Sequence, residues 1–405
     1  MDRKRFIYLI IFILISIGLG YLLYRVFFYK PTPTVVAPPG AVTPPTPTPT
    51  QFPEAGVGVP TGEVREPGVL PTAGRAIQTP GAQRQAPIKT LTKDPVTGAR
   101  ADKSGAVNYY NQLDGKFYRL DSSGRPRLLS DTIFYGVEKV TWSPTQTASI
   151  LEYPDGSNIY YDIDTKRQVT IPKHWEEFSF APQGDRITSK SIGFSPENRW
   201  IVSANPDGTD VKIVAALGNK ADKVTLDWSP NNQIVGYSLT GEALGADREE
   251  VLFVGLNGEN FKSTIVEGRG IRSRWSPDGA KLLYSVYSAQ NDYKPQLWVV
   301  NADGGSIGTG RKLLSLETWA DKCSFANPKT VYCGVPETLQ TGVGFAPDLA
   351  NGTRDRLVKI DVETGLRSDL PFPDYHVVDT ITLSTDGTKL YFTDKQLPGV
   401  FEVNL

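Results

Sequence analysis

The chain has 405 residues, of which 39% are hydrophobic, so it can form two average domains or one large repetitive domain. Residues 1–30 contain five basic residues and one acidic residue, whereas the sequence after residue 85 contains 35 basic and 40 acidic residues. The C-terminal part is therefore slightly acidic, which excludes the basic surface expected of a nucleic-acid-binding protein.

The first predicted element is a transmembrane helix. Residues 6–23 contain no charged side chain, and with their flanks they are long enough to cross a bilayer as a helix. Basic residues precede this segment and aromatic residues follow it, which predicts a cytoplasmic N-terminus and membrane contact over residues 6–28. A cleavable signal peptide is the alternative, but no small residues of the A-x-A type follow the apolar run. Residues 1–30 are interpreted as the cytoplasmic tip and signal anchor of a single-pass cell membrane protein, with the rest of the chain outside the cytoplasm.

Residues 31–85 are predicted to be a proline-rich linker. They contain 13 prolines and few aromatic residues, so they bury too little apolar surface to offset the entropy of an ordered chain. We expect an extended, disordered spacer that holds the C-terminal domain away from the membrane. Glycosylation of its threonines, binding of a proline-recognising partner and contact with the cell wall are alternatives that the sequence leaves open.

From residue 86 onward the sequence consists of short β-rich runs separated by turn residues. A strand–turn–strand segment recurs along this part of the chain, and a second hairpin follows each copy. The copies lie at residues 140–153, 178–191, 226–239, 273–287, 323–335 and 381–393. Two successive hairpins make a four-stranded antiparallel sheet. Repetition of this unit predicts an all-β fold, a β-propeller over residues 86–405.

Blade number and ring closure follow from the spacing of the repeats. Residues 96–130 supply one more blade, with residues 96–101 as its inner strand, and the last blade reaches Leu405 without a fourth strand. Seven blades average about 46 residues each, close to the length of known propeller repeats, with six or eight blades as alternatives. Residues 88–92 resemble the fourth strands of other blades, so we expect this N-terminal strand to complete the last blade.

The most regular copy of the repeat contains the turn Trp275-Ser276-Pro277-Asp278-Gly279. Pro277 presets φ at the first corner, Asp278 tolerates the second, and Gly279 accepts a positive φ. Trp275 is expected to wedge between adjacent blades through its bulk rather than its indole chemistry. Large side chains recur at the same place in the other copies, at Trp142, Phe180, Trp228, Phe325 and Leu383. These turn residues are interpreted as structural.

W-S-P-D-G turns followed by apolar strands make residues 86–405 resemble the TolB-like, WD-repeat-like β-propellers of bacteria. The turn varies between copies of the repeat. The Asp-Gly pair is present at Asp278-Gly279 and Asp386-Gly387 and is replaced in the other copies. The resemblance implies a platform that binds proteins or peptides on one face of the ring. Some related propellers dock the catalytic domain of a peptidase, and this sequence contains no such domain.

The sequence contains no convincing motif for catalysis or for metal binding. Gly304–Gly308 match G-x-S-x-G, but a strand rather than a helix follows, so Ser306 is interpreted as part of a hairpin loop. The two histidines, His174 and His376, lie far apart in the sequence, and no cysteine pair has the spacing of zinc ligands. We therefore predict no catalytic residue, no metal site and no cofactor.

Cys323 and Cys333 lie symmetrically about Pro328 and face each other across one predicted hairpin. Outside the cytoplasm such a pair can oxidise, so we predict a cross-strand disulfide that staples the sixth blade. Two buried free thiols are the alternative.

The longest departures from the repeat fall between second and third strands, at residues 240–250, 288–296 and 336–356. Connections at this position emerge on one rim of a propeller, and loops on a rigid scaffold are common recognition sites. Tyr293, Phe345 and Asp348 are the candidate partner-binding residues.

The predicted function is a non-enzymatic, membrane-anchored binding or scaffolding module at the cell envelope, with a protein, peptide or glycan as its partner. The alternative is an enzyme of the lyase, lactonase or hydrolase type that acts through acidic residues around the central channel. A structural element that organises the envelope by multimerising is a third interpretation.

Overall fold

The computed structural model describes residues 88–405, except residues 103, 122 and 243, together with residues 16, 18 and 19. The chain divides into two compact units, Met1–Ile77 and Gln78–Leu405, and the description below concerns the second. The predicted anchor, apart from three of its residues, and the predicted linker lie outside the described residues. Within the described part of the chain, no helix is both long and apolar enough to span a membrane.

Within residues 88–405, twenty-eight β-strands form seven four-stranded antiparallel sheets, the blades of a β-propeller. Blade 1 contains β2 (Val96–Ala101), β3 (Val107–Asn111), β4 (Lys116–Leu120) and β5 (Pro126–Ser130). Blade 2 contains β6 (Lys139–Trp142), β7 (Ala148–Glu152), β8 (Asn158–Asp162) and β9 (Arg167–Ile171). Blade 3 contains β10 (Trp175–Phe180), β11 (Ile187–Ile192), β12 (Arg199–Ala204) and β13 (Lys212–Ala216).

The remaining four blades repeat this order from inner to outer strand. Blade 4 contains β14 (Val224–Leu226), β15 (Ile234–Ser238), β16 (Glu249–Gly255) and β17 (Thr264–Val266). Blade 5 contains β18 (Arg269–Trp275), β19 (Lys281–Tyr287), β20 (Pro295–Asn301) and β21 (Lys312–Leu313). Blade 6 contains β22 (Cys323–Phe325), β23 (Thr330–Pro336), β24 (Asp355–Asp361) and β25 (Arg367–Leu370). Blade 7 contains β26 (Val378–Leu383), β27 (Lys389–Asp394), β28 (Val400–Asn404) and β1 (Lys89–Thr90).

The predicted number of seven blades is confirmed. Helical structure within residues 88–405 is limited to short 3-10 segments in the connections. These segments are Pro196–Asn198, Gly218–Lys223, Ala289–Asn291, Gly304–Ser306, Ala320–Lys322 and Pro347–Ala350.

The second strand of a blade is buried because neighbouring blades cover both of its faces. All residues of β3 and of β15 are buried. The outer strands are more accessible, and the first three residues of β5 are exposed. The apolar core therefore runs around the ring between blades. For example, Leu283 and Val299 of blade 5 pack with Val331 and Ile360 of blade 6.

The N-terminal strand closes the ring. β1 pairs with β28 in antiparallel register, with Lys89 opposite Glu402. The Leu91 N–H extends this pairing by donating to the carbonyl of Val400 at 2.8 Å. The predicted closure by residues 88–92 is confirmed, and it removes an exposed pair of strand edges from the sheet ring.

The predicted disulfide is present in blade 6. Cys323 on β22 and Cys333 on β23 are directly opposite each other in the strand register and are joined through their sulfur atoms. Both residues are buried. The alternative of two free thiols is therefore excluded.

Candidate functional site

One face of the ring carries the longest connections. Successive strands of a blade run in opposite directions, so connections between second and third strands emerge at the same face as connections between blades. We call this face the loop rim. The three long insertions lie on it, between β15 and β16, between β19 and β20, and between β23 and β24. β1 begins at the opposite face, because Lys89 pairs with Glu402 near the end of β28.

Two of the candidate partner-binding residues meet on the loop rim. The Phe345 ring centroid lies 4.8 Å from the Tyr293 centroid and 4.8 Å from the Tyr287 centroid. Phe345 remains 58% exposed at the centre of this aromatic trio. The Gly344 N–H joins the two loops by donating to the Tyr293 carbonyl at 2.8 Å. Asp348 is exposed and belongs to the short helix that follows, outside the trio.

The backbone that presents Tyr293 is strained. Asp292 and Tyr293 have φ values of 52° and 54°, in the left-handed region, where a non-glycine residue costs about 1–3 kcal/mol. The Tyr293 N–H donates to the Ser288 carbonyl at 2.9 Å, and the Gly342 N–H donates to the Asp292 carbonyl at 2.8 Å. These bonds hold the conformation that places Tyr293 beside Phe345.

Large apolar side chains are exposed more often on the loop rim than elsewhere on the described surface. Eight of them lie in its connections: Leu113, Ile133, Tyr135, Phe194, Phe345, Leu349, Tyr375 and Leu397. The opposite face carries Val211, Leu366 and Leu405. Three more, Leu128, Ile213 and Leu313, lie in outer strands, so the loop rim carries more exposed apolar side chains than the opposite face does.

A small cleft opens on the loop rim between blades 5, 6 and 7. The Arg272 guanidinium lies 5.9 Å from the ring centroid of Trp319 and pairs with the Asp321 carboxylate at 2.6 Å. Asp379 and Lys395 of blade 7 complete the charged wall. The cleft therefore presents both signs of charge next to one aromatic ring.

A buried ion pair lies next to this cleft. The Lys322 ammonium contacts the Asp355 carboxylate at 2.7 Å, and the Val378 N–H donates to the same carboxylate at 2.6 Å. Burial lowers the pKa of Lys322 and raises the pKa of Asp355, and each charge offsets part of the shift of the other. The pair positions Lys322 and links blade 6 to blade 7.

The two histidines occupy different environments. His174 is exposed, whereas His376 is buried with its Nδ1 2.9 Å from Asp394 Oδ2. Burial opposes ionisation of Asp394, but hydrogen bonds from His376 and from backbone N–H groups lower the pKa of this carboxyl. Among the described residues, no cluster of three or more histidine, cysteine or acidic side chains is arranged to hold a metal ion.

The repeat turn uses indole chemistry as well as bulk. The Trp142 indole N–H donates to the Gly98 carbonyl at 2.6 Å, and the Trp275 indole N–H donates to the Asp227 carbonyl at 3.2 Å. Both acceptors belong to the preceding blade, whereas the Trp228 indole N–H bonds within its own turn. The expectation that bulk alone matters at these positions is therefore wrong.

Sequence reasoning overlooked the serine of the turn. Ser276 is fully buried, and its hydroxyl donates to the Asp278 carboxylate while it accepts the Lys281 N–H at 2.8 Å. Gly279 has the positive φ of 70° that was expected. The same serine-to-backbone bond recurs in three other blades, at Ser143, Ser229 and Ser384. Recurrence of serine after the bulky residue was the available signal.

Ser306 lies in the connection between β20 and β21. A strand, not a helix, follows it, so the geometry of a hydrolase elbow is missing at this position. Its hydroxyl donates to the Asp303 carbonyl at 2.7 Å, a bond internal to the loop.

The inner strands place one equivalent residue per blade at the central channel. In every blade, a backbone N–H within three residues after the inner strand donates to a carbonyl at the start of the second strand or one residue before it. The donors are Asp102, Ser143, Ala181, Ser229, Ser276, Ala326 and Ser384. The residue two positions earlier is not buried in any blade. These seven residues, which we call the channel ring, are Arg100, Thr141, Ser179, Asp227, Arg274, Ser324 and Thr382.

Three members of the channel ring, Arg100, Asp227 and Arg274, carry charged side chains. Asp227 keeps some contact with solvent, but desolvation among the surrounding inner strands raises the pKa of its carboxyl to about 7; the charges of Arg274 and Arg100 oppose this shift, and Glu177 adds to it. Blades 2 and 3 lie between blade 1 and blade 4, and blades 6 and 7 lie between blade 5 and blade 1. Arg100 therefore lies on the other side of the ring from Asp227 and Arg274.

These features define the class of protein as a seven-bladed β-propeller with a loop-rich, partly apolar rim and a charged channel. No family model matches the sequence, and no curated protein matches it. Solved structures do match. An oligogalacturonate lyase in complex with manganese is 12% identical with a TM-score of 0.56, covering 79% of this chain and 93% of that chain.

Two further solved structures are similar to this chain over most of their length. A chain of the mitotic checkpoint complex is 14% identical with a TM-score of 0.51, covering 86% of this chain and 99% of that chain. Hydrazine synthase from Kuenenia stuttgartiensis is 13% identical with a TM-score of 0.51, covering 82% of this chain and 99% of that chain. Enzymes are included in this group, and at such low identity the likeness shows the fold alone.

Proposed function

We propose that this protein is a non-enzymatic, membrane-anchored propeller of the TolB-like or WD-repeat-like kind that binds a partner at the cell envelope. The observation that carries the proposal is the concentration of exposed apolar side chains on the loop rim. Interfaces between proteins are enriched in aromatic residues surrounded by polar ones, and this rim offers the same combination. A protein partner therefore fits the rim better than a small molecule does.

The aromatic trio is the proposed centre of the contact. Phe345 is exposed, but its loop is hydrogen-bonded to the neighbouring loop and its ring is supported by Tyr287 and Tyr293. A preorganised aromatic group loses little conformational entropy on binding, which is a property of interface hot spots. Asp348 lies three residues further along the same loop as a polar group at the edge of the contact.

The topology of ring closure supports this orientation. β1 begins at the face opposite the loop rim, because Lys89 pairs with Glu402 near the end of β28. The loop rim is therefore not the face at which the described chain enters the ring. The anchor itself is proposed from the apolar sequence of residues 6–28.

Site-specific crosslinking of the full-length chain in its native envelope tests the proposal. Photoreactive p-benzoylphenylalanine would replace Phe345 or Phe194, which are 58% and 103% exposed on the rim. The matched control replaces Leu366, which is 73% exposed at the opposite face. We expect a discrete crosslinked species from the rim positions and none from the control. A product of two copies of this chain would instead assign the rim to self-association, and equal labelling from both faces would refute a rim interface.

A second candidate is a propeller enzyme that acts through acidic residues at the channel. One observation favours it, since burial raises the pKa of Asp227 to about 7, a value suited to proton transfer near neutral pH. Turnover of an acidic oligosaccharide by the full-length chain, lost on Asp227→Asn, would favour this candidate over the binding module.

A further inference from the structure

The cleft between blades 5, 6 and 7 contains a guanidinium group with unused donors. Arg272 lines this cleft and donates through one terminal nitrogen to the Asp321 carboxylate at 2.6 Å. Its other N–H groups form no hydrogen bond with any described residue. A guanidinium has five N–H donors in a planar arrangement, so most of them are left for a ligand. Asp321 and the Trp319 ring, 5.9 Å away, hold Arg272 in place.

The ammonium group of Lys322 is already occupied. Lys322 lines the cleft but is buried, and its Nζ contacts the two carboxylate oxygens of Asp355 at 2.8 Å and 2.7 Å. Opposite charges at this distance largely cancel for any group further away. The Lys322–Asp355 pair therefore fixes the wall of the cleft without giving it a net charge.

Two charges of blade 7 have no ion-pair partner within the described chain. Asp379 of β26 is half-buried, and the Thr393 hydroxyl donates to its Oδ2 at a long distance of 3.4 Å. The Lys395 ammonium is exposed and forms neither an ion pair nor a hydrogen bond with a described residue. Both residues line the cleft, where the other charges are already paired. One positive and one negative charge are therefore available to a ligand.

The backbone of blade 7 brings these two charges to the same cleft. The Lys395 N–H donates to the Val377 carbonyl at 2.9 Å, so Lys395 lies opposite Val377 just after β27. The register between β26 and β27 shifts between Val378 and Ile381, so Asp379 lies at a β-bulge. Bulges re-aim side chains and are frequent next to functional sites. Val377, Asp379 and Lys395 all line the cleft as a result.

Apolar side chains form the rest of the wall. Trp319 is buried and packs with Val343 and Ala350 of the loop between β23 and β24. Ala350 and Val377 line the cleft together with the Trp319 ring. The cleft is small, so it suits a ligand that combines two charged groups with a short apolar part.

We propose that this cleft is a binding site for a small zwitterion of the free α-amino acid type. The ligand carboxylate pairs with Lys395 and with the unused donors of Arg272, and the ligand ammonium pairs with Asp379. An inorganic anion would leave Asp379 without a partner, and a simple cation would leave Lys395 without one. The site goes beyond the proposed partner interface and does not depend on the aromatic trio.

A ligand titration of the full-length protein in detergent micelles, followed by saturation-transfer difference NMR, tests the site. L-Alanine is the probe, and propionate and ethylamine are its matched controls. Propionate lacks the ammonium group of alanine, and ethylamine lacks its carboxylate. We expect alanine to bind about tenfold or more tightly than either control, because each control leaves one charge of the cleft without a partner.

Variants assign each charge of the ligand to one side chain. Asp379→Asn is expected to weaken alanine binding about tenfold or more and to leave propionate binding no weaker. Lys395→Gln is expected to weaken alanine binding and to leave ethylamine binding no weaker. Asp131→Asn and Lys166→Gln are the matched control variants, since these two residues form an exposed ion pair at 2.7 Å outside the cleft. Thermal unfolding without ligand verifies that each variant is folded.

Alanine binding that both cleft variants weaken and both control variants leave unchanged supports the site. Absence of alanine binding, or equal affinities for alanine and propionate, would overturn it. Equal weakening by the Asp131 and Lys166 variants would show a general effect of surface charge and would overturn it as well.

Discussion

Individual polar side chains hold neighbouring blades together. Asp355 of blade 6 is completely buried, and it accepts both the Lys322 ammonium and the Val378 N–H of blade 7. A buried charge that loses its partner is strongly destabilising, because neither water nor another charge compensates it. The carboxylate and the ammonium therefore depend on each other for their burial.

Asp355→Ala is expected to lower the free energy of unfolding by about 3–5 kcal/mol, because it leaves Lys322 buried and unpaired. Urea unfolding followed by tryptophan fluorescence measures the change. Asp369→Ala is the matched control on the same blade, since Asp369 pairs with Arg356 on the surface. This control is expected to change stability by less than about 1 kcal/mol. Similar losses in the two variants would contradict the interpretation.

At the scale of single elements, the short inner strand β22 is stabilised by a disulfide bond. β22 contains three residues, and its connection to β23 is reinforced by the disulfide between Cys323 and Cys333. A disulfide bridge between these residues restricts the conformations of the unfolded chain. The entropy that the unfolded chain loses in this way stabilises the folded hairpin. Because β22 has only three residues, it forms few strand-to-strand hydrogen bonds, and the disulfide adds a further link to β23.

The double variant Cys323→Ala with Cys333→Ala is expected to lose about 3 kcal/mol of unfolding free energy, the amount for a closed loop of about ten residues. Equilibrium unfolding of the wild type with and without reductant provides the comparison. Reduced wild type and double variant should have similar stabilities, since both lack the cross-link. A variant as stable as the oxidised wild type would show that the bridge contributes nothing.

The whole ring depends on a strand pairing between the two ends of the described chain. Gly399, just before β28, has a φ of 112°, and a Cβ atom there would lie 2.0 Å from the carbonyl oxygen of Thr92. This close approach lets the segment after β1 lie against the start of β28. Ring closure therefore requires glycine at this position.

Gly399→Ala is expected to destabilise the protein by about 3 kcal/mol, through backbone strain together with overpacking against Thr92. The control is Gly387→Ala in the same blade, at a φ of 67° with no atom near the added Cβ. Backbone strain alone costs about 1–2 kcal/mol there. Hydrogen exchange should show faster exchange of the Leu91 amide only in the first variant. Equal exchange in both variants would show that closure tolerates a side chain.

Much of the fold follows from short-range patterns in the sequence. Turns such as Ser276–Gly279 are built from hydrogen bonds between residues a few positions apart, so their chemistry is readable without the tertiary structure. The opposition of Cys323 and Cys333 follows from one hairpin register. The seven-blade count and the closure by residues 88–92 follow from the period of these units.

The candidate site was predictable only in part. The positions of the long loops on one rim follow from strand alternation, and so Tyr293 and Phe345 were candidates before their rings were seen to touch. The contact itself depends on left-handed backbone at Asp292 and Tyr293, a conformation that a tyrosine rarely adopts. The cleft near Lys322 was not predicted, because its walls come from three blades.

The sequence by itself determined the repeating unit, the blade number, the closing strand and the disulfide, because each depends on local hydrogen bonding or on spacing along the chain. The tertiary structure alone decided which distant side chains meet. Arg100 and Asp227 are more than a hundred residues apart and lie on blades that do not touch, yet ring closure brings their charges into one channel. Electrostatic interaction and burial depend on distance in space, which the order of residues does not contain.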